Sequence, residues 1–370
     1  MKEIRYIPFE KTDAQLKDEY MSALSRFLDE KQYILGKEVR KFEENWAAFC
    51  QTKYAVGVGN GYDALFLALK SVNLGPGDEI IVPSHTFAAT TLAVVNTGAT
   101  PILVDADPQT FNIDVGKIES SITSRTKAIL VVHLYGNPCD MEKILSICDQ
   151  HKLLLIEDNA QSHGARYKEK ATGSFGIVSA TSFYPVKNLG ALGDAGIVNT
   201  SDENVFEKLK LLRNYGSPDK HKMILPGVNS RLDELQAAFL NIKLKHLATW
   251  NKERKKIANQ YYRHLQDTGP LQTCMQPECV ESANHIFPVL VKERDKLRAH
   301  LLSKGIHTLR HYPLPYHLEP AFSHLNYTRG SFPVTENICE KEISLPIFPG
   351  LKEDEVSFIC KEIRSFYRSR

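Results

Sequence analysis

The chain has 370 residues, 42% of them hydrophobic and 24% charged, and a formal net charge of +2. That length exceeds the needs of one small core and predicts a large domain joined to a smaller one. So small a charge excludes an electrostatic grip on nucleic acid, which needs a basic excess on one face; a site for a small anion needs only a few donors.

A helix is predicted from Asp13 to Leu28, a turn at YILG, and a second helix through EVRKFEENWAAFC. The pattern then alternates: YAVGVG a strand, YDALFLALKSV a helix, EIIVP a strand, FAATTLAVVNTG a helix, PILVD and KAILVVHL strands, MEKILSICDQHK a helix, LLLIED a strand. Short apolar runs without strict alternation, separated by amphipathic helices, predict a mostly parallel sheet covered on both faces, an α/β fold. VSATSFY and AGIVNT extend the sheet, a helix spans Glu203 to Leu212, and a long helix runs from Leu232 to Leu265. HIFPVLV, RDKLRAHLLSKG and IHTLRHY read as a strand, helix and strand of the smaller domain, which places the division near residue 245, with domains 1–245 and 246–370.

Seven cysteines, Cys50, Cys139, Cys148, Cys274, Cys279, Cys339 and Cys360, are scattered and never spaced as CxxC. That usage predicts free thiols in a reducing compartment, with no disulfide framework and no metal site. The N-terminal MKEIRYIPFEK has no apolar core, and no run of about 18 apolar residues occurs, so a cytoplasmic protein with no membrane segment is expected.

Three motifs carry chemistry. In GVGNGYDALFLAL a glycine-rich strand end runs into a helix, offering free N–H groups at a positive helix terminus, which suits a phosphate; αL geometry alone can also demand such glycines. In LLLIEDNAQSHGA, Glu157 and Asp158 stand at the end of a buried strand, where open α/β sheets bind ligands, and alternation sends them to opposite faces; a helix cap is the plainer reading of the Asp. In SFYPVKNLGALGDAG, Lys187 follows a strand and precedes glycines at every third position, Gly190, Gly193 and Gly196. Alone it reads as a solvated lysine; beside the other two motifs it completes what pyridoxal phosphate requires. The three parts would be a phosphate cradle, a carboxylate for the pyridine nitrogen and an amine for the carbonyl carbon.

Nearly the whole chain resembles the DegT/DnrJ/EryC1/StrS family of sugar aminotransferases, fold-type I pyridoxal phosphate enzymes with an aspartate-aminotransferase-like fold. The resemblance rests on YILGKEVRKFEENWAAFC, VGNGYDALFLAL, VPSHTFAATTLAVVNTGATPILVD, HLYGNPCDM, IEDNAQSHGA, SFYPVKNLGALGDAG, GVNSRLDELQAAFL, HYPLPYH and SLPIFPGL. It implies that Lys187 is the Schiff-base lysine, Asp158 pairs with the pyridine nitrogen, Gln161 meets the ring hydroxyl and Phe87 stacks on the ring. Ser182 and the backbone at Gly61 and Tyr62 would hold the phosphate. Asn229 matches an asparagine lent to the neighbouring subunit's phosphate, which implies a homodimer with shared sites. His163, Tyr184, Arg231, His311, Tyr312 and His317 are expected to meet substrate.

At Tyr62 the family usually has threonine, so a hydroxyl contact to phosphate is in question there while the backbone contact survives. A dehydrating branch carries histidine in place of Lys187, so lysine implies amino transfer. The branch that aminates C3 of dTDP-3-keto-6-deoxyhexoses, with glutamate as donor and ping-pong kinetics, is the most similar, as in O-antigen and antibiotic sugar pathways. Amination at C4 and a regulatory protein that binds the cofactor without turnover are the alternatives.

Overall fold

The apolar runs become the central strands of the computed structural model, which describes residues 3–9, 14–218 and 221–368. In chain order they are β1 (Tyr54–Val58), β2 (Glu79–Pro83), β3 (Thr100–Val104), β4 (Thr126–Val132), β5 (Leu154–Asp158), then β6 (Arg166–Tyr167) and β7 (Lys170–Ala171), which form a small side ribbon, and β8 (Val178–Ser182) and β9 (Gly196–Thr200). The main sheet has the order β1-β9-β8-β5-β4-β2-β3. β9 is antiparallel to both β1 and β8, and every other pairing is parallel, so β9 alone runs against the rest.

Period-2 alternation sorts the strand side chains onto two faces. Val56, Val58, Ile80, Val82, Leu130 and Ile156 pack under α3 (Gly61–Ser71) and α4 (Ala88–Thr97). Ile81, Ile129, Val131 and Leu155 point the other way, onto α5 (Met141–His151) through Met141, Ile144 and Ile147. With apolar neighbours on both sides, all five residues of β2 are buried, which is why the run shows no polar alternation.

The first helix, α1 (Lys17–Glu30), begins inside its predicted span; Asp13, its expected start, lies outside the described residues. α2 (Lys37–Phe49) packs Val39, Phe42 and Trp46 against Ala55 and Ile197. α6 (Glu203–Leu212) has its predicted limits, and α7 (Glu234–Leu265) runs 32 residues without a break. The first half of α7 joins the α2 core through Ala237 and Leu240, and the second half enters another core through Ile257, Tyr261 and Leu265.

That second core belongs to an antiparallel sheet of β10 (Leu271–Thr273), β12 (Phe287–Val291) and β13 (Glu342–Leu345), while β11 (Val280–Glu281) joins the side ribbon at β6. α8 (Arg294–Ser303) and α10 (Glu353–Arg368) cover it, and α9 (Pro333–Lys341) leads into β13. IHTLRHY is not the strand its sequence predicts. Among the described residues its backbone pairs with the sheet at one isolated bridge, Leu309 to Ser344, and β13 takes the place beside β12. Pro313 and Pro315 follow at once and have no N–H to give a ladder, so the segment turns away. Likewise VSATSFY stays a strand only to Ser182, because Pro185 lies inside a turn closed by the Lys187 N–H on the Tyr184 carbonyl at 2.8 Å.

One long-range contact fixes α2 to α7. Glu234 is 3% exposed, and its carboxylate accepts the N–H groups of Gly36 at 2.8 Å, Glu38 at 2.6 Å and Val39 at 3.3 Å. An anion thus caps the positive end of α2 from 195 or more residues away in sequence. Charged hydrogen bonds of this kind contribute about 1.5–3 kcal/mol each when one partner is removed. Glu234→Ala is therefore expected to lower unfolding free energy in urea by about 3 kcal/mol, and Glu234→Gln by clearly less.

Candidate active site

Because β1, β2, β5 and β8 run the same way, their C-terminal ends open on one edge of the sheet, where open α/β sheets hold ligands. β1 delivers Asn60 and Gly61, β2 delivers the segment ending at Phe87, β5 delivers Asp158, and β8 delivers Ser182 and the turn bearing Lys187. β9 starts at this edge with Gly196, where a Cβ would stand 2.2 Å from the Asn60 carbonyl oxygen. Close backbone approach thus explains that glycine. Gly190 has the same cause: its Cβ would fall 2.1 Å from the Pro185 carbonyl oxygen, inside the lysine's own loop.

At the start of α3 the Asn60 side chain accepts the Asp63 N–H at 2.8 Å. The N–H groups of Gly61 and Tyr62, in the helix's first turn, have no carbonyl one turn back to bond and lie at its positive end. A Cβ on Gly61 would meet the Ser182 Cβ at 2.4 Å and Oγ at 2.8 Å, so the serine hydroxyl and the helix terminus share one small space. The Tyr62 phenol is taken by Asn96 Nδ2 on α4, and what position 62 offers the cradle is its backbone N–H.

The two acids of β5 divide as alternation requires. Glu157 is fully buried and accepts His133 Nε2 at 3.0 Å and the N–H groups of Gly173, Phe175 and Gly176 at 2.7–2.8 Å. His133 Nδ1 accepts the Cys139 N–H, so the proton sits on Nε2 and points at Glu157. Asp158, 5% exposed, accepts the Ala160 N–H at 3.1 Å and the Thr90 hydroxyl at 2.9 Å. The Ala160 bond makes an Asx turn, and no helix begins there, so Asp158 is not a helix cap. Burial pushes its pKa up against those two hydrogen bonds and the nearby Lys187 charge. Among the described residues Asp158 makes no ion pair.

Lys187 is partly exposed, yet burial lowers its pKa to about 8 despite Asp158, which pulls the other way. Its neighbour fixes it. Asn188 is buried and donates to Asn251 Oδ1 on α7 at 3.0 Å and to the Ala283 carbonyl at 2.8 Å. Its Oδ1 lies 3.0 Å from His285 Nδ1.

Gln161 accepts the Tyr135 N–H at 2.6 Å and donates to the Tyr312 hydroxyl at 3.0 Å. The Tyr312 ring lies 5.6 Å from Phe87, which with Tyr184 is more than half exposed (58% and 52%), an unusual state for large rings. His311 is half-buried beside them. Arg231 donates to Asn214 Oδ1 at 3.1 Å and covers Tyr215, while Asn229 is exposed on the bridge to Asn214. Ser230 between them accepts the Gly59 N–H at 2.9 Å and donates to Asp63 at 2.6 Å, which ties this segment to the cradle loop.

His163 and His317 lie in packed surroundings, not on an open wall. His163 is 1% exposed, accepts the Leu189 N–H at 3.1 Å, and stands edge-on to Trp46 and Phe183 beneath the lysine loop. Burial lowers its pKa to about 3, with Lys187 adding to the effect. His317 is also buried, 3.3 Å from Glu336 and against the Phe332 ring. Thr90, which holds Asp158 from α4, carries no signal in the sequence: a separation of 68 positions is closed only by the fold. Among the described residues no group of three or more His, Cys, Asp or Glu could hold a metal ion, and no helix is long and apolar enough to cross a membrane.

Residues 14–364 match the model of the DegT/DnrJ/EryC1/StrS aminotransferase family. The dTDP-3-amino-3,6-dideoxy-alpha-D-galactopyranose transaminase of Aneurinibacillus thermoaerophilus is 45% identical over 364 residues, 98% of this chain and 99% of that protein. A pleiotropic regulatory protein of Geobacillus stearothermophilus is 43% identical over 358 residues, 96% of each. The crystal structure of S. venezuelae DesV in complex with a ketimine intermediate superposes with a TM-score of 0.97 at 42% identity, covering 99% of both chains. With nearly the whole chain matched by the family model and the lysine, acid and glycine cradle gathered at one sheet edge, the chain belongs to the DegT/DnrJ/EryC1/StrS aminotransferase family.

Proposed function

We propose that this aminotransferase moves the amino group of L-glutamate to C3 of a dTDP-linked 3-keto-6-deoxyhexose, leaving 2-oxoglutarate and the 3-amino-3,6-dideoxyhexose. The observation that carries the reading is the opposition of Lys187 and Asp158 at the sheet edge, in a chain 45% identical to a dTDP-3-amino-3,6-dideoxyhexose transaminase. The cofactor is pyridoxal 5'-phosphate. The residues fit it: Gly61, Tyr62 and Ser182 for the phosphate, Asp158 for the ring nitrogen, Gln161 for the ring hydroxyl, Phe87 for the ring face and Lys187 for the carbonyl carbon. The cation that buried Asp158 lacks is the protonated ring nitrogen.

Bound pyridoxal phosphate supplies the electron sink for the carbon from which a proton is removed. Lys187 Nζ, whose pKa burial lowers to about 8, takes that proton from the donor's α-carbon and later returns one to the sugar carbon. Asp158 keeps the opposite end of the site negative, and Thr90 and Ala160 hold it in place. Tyr184, His311 and Tyr312 at the mouth orient the hexose, and Arg231 lies where it can meet an anionic group. His163 and His317 serve substrate through what they support, the lysine loop and the HYPLPYH segment.

The active unit in this reading is a homodimer, with Asn229 reaching the partner's phosphate cradle. Exposed Tyr215, Met223 and Ile224 in the same segment (49%, 65% and 53%) supply the apolar contact. A regulatory protein without turnover is the second reading, favoured by the name of the Geobacillus relative. Joint retention of Lys187, Asp158 and Gln161 in one site opposes it.

The test is an assay of dTDP-, UDP- and GDP-linked 3-keto and 4-keto sugars with glutamate; the dTDP-linked 3-keto sugar should give the highest kcat/KM. Product from 4-keto sugars alone would transfer the assignment to C4, and no product with any donor would favour the regulatory reading. Lys187→Ala should abolish turnover and keep the cofactor bound, as read by absorbance after gel filtration; near-native turnover would remove Lys187 from the chemistry. Asp158→Asn should lower kcat by about 100-fold or more with a smaller loss of cofactor affinity, because an amide does not hold the charge on the ring nitrogen. Equal losses in both would make Asp158 a structural residue. Finally, Lys187→Ala chains co-refolded with inactive Asn229→Asp chains should regain activity, since one site of the mixed dimer then receives native groups from both subunits. Mixed dimers without activity would end the shared-site reading.

A further inference from the structure

β13 begins with a carboxylate that has no access to water. Glu342 is 0% exposed, its Oε2 accepts the His311 N–H at 2.7 Å, and its Oε1 is hydrogen-bonded to the Ser344 hydroxyl. The same hydroxyl oxygen of Ser344, also 0% exposed, lies 2.8 Å from His311 Nδ1. Three side chains therefore form a line, Glu342 to Ser344 to His311, closed by the backbone N–H.

Counting protons leaves two arrangements. Serine has one proton and makes two contacts that each need one. With Glu342 ionised, Ser344 must donate to it, and the Nδ1 of a neutral His311 must carry the proton and donate to Ser344. Nε2 is then a bare acceptor. With Glu342 protonated, the acid donates to Ser344, Ser344 donates to Nδ1, and the imidazole proton sits on Nε2. Nε2 makes no hydrogen bond among the described residues, and His311 is half-buried beside Tyr312. We propose that Glu342 is a positioning residue: through Ser344 it decides which nitrogen of His311 carries the proton, and so whether Nε2 offers substrate an acceptor or a donor. The step from tautomer to substrate rests on the placement of His311 at the sugar mouth proposed above.

The surroundings agree with the count. Burial and the Lys187 charge lower the pKa of His311 to about 4, so the ring stays neutral and its tautomer is what varies. Burial raises Glu342 to about 8, opposed by its bonds to Ser344 and His311 and by Arg294 and Arg310. Arg298 faces it as well. Tyr6, Tyr135, Tyr312 and Cys339 also feel its charge, and burial keeps all four protonated. The relay should thus turn over near pH 8, with Nε2–H below and Nδ1–H above.

Solid-state 15N spectra of histidine-labelled holoenzyme test this, with the His311 signals identified by their loss in His311→Asn. Wild type should show the Nε2–H tautomer at about pH 6 and Nδ1–H at about pH 10. In Glu342→Gln the amide oxygen faces the His311 N–H and its NH2 faces Ser344, so the Nε2–H tautomer should persist at both pH values. Ser344→Ala breaks the line with Glu342 intact and should abolish the pH dependence as well. A wild-type tautomer that does not change with pH, or a Gln variant that shows Nδ1–H, overturns the relay. Sugar KM should change near pH 8 in wild type and not in Glu342→Gln. If the tautomer follows the prediction and the sugar KM does not, the relay stands and the assignment of His311 to the sugar mouth fails.

Discussion

The structure depends on keeping a carboxylate, Asp158, at the buried end of β5 with two hydrogen bonds and, among the described residues, no ion pair. Burying such a group without a partner costs several kcal/mol, so the surrounding elements must hold it where a partner will arrive. β5 supplies the position, α4 reaches across with Thr90, and the chain past Asp158 turns so that Ala160 donates as well. Glu157, one residue earlier, serves a different end: its bonds to His133 and to the 173–176 loop fix the strand to the opposite face of the sheet. Two adjacent acids thus have opposite duties because a strand alternates.

Much of this was legible in the sequence. The strand and helix order of the main sheet follows from apolar runs and their punctuation, and the site motifs fall at strand ends because a parallel sheet puts those ends together. The reversed direction of β9 was not legible, since AGIVNT reads the same in either direction. IHTLRHY misled because its alternation suits an edge strand, while the prolines beyond it and the downstream β13 decide the pairing. Thr90, Glu234, Asn251 and Glu342 were invisible for one reason: each acts on a residue distant in the chain, as when Thr90 holds Asp158 across 68 positions, and no local pattern encodes such a partner. The histidines show the converse. His163 and His317 drew attention through their motifs, but aromatic packing and burial hold them behind the surface they were expected to line.

The glycines between Ser182 and Gly196 have separable causes. Gly190 permits the lysine loop to fold on Pro185, and Gly196 permits β9 to lie against Asn60. Gly193 has a softer neighbour, the end of the Gln236 side chain at 3.0 Å, which can move. A regular spacing in sequence therefore conceals different constraints, two from backbone and one from a side chain.

α7 carries a further implication. Its first turn holds Glu234 under α2, Asn251 holds both Asn188 beside the lysine and the His163 carbonyl, and Arg254 donates to the carbonyls of Asn284, His285 and Ile347. One continuous helix of 32 residues is thus a ruler along which three parts of the protein are registered. Each residue added to a helix advances its downstream half by about 1.5 Å and rotates it by about 100°. A single insertion between Glu234 and Asn251 would swing Asn251 off the lysine loop and carry Arg254 and the β12–β13 sheet round with it. Loops elsewhere can lengthen or shorten over generations, whereas this stretch can change its letters but not its count.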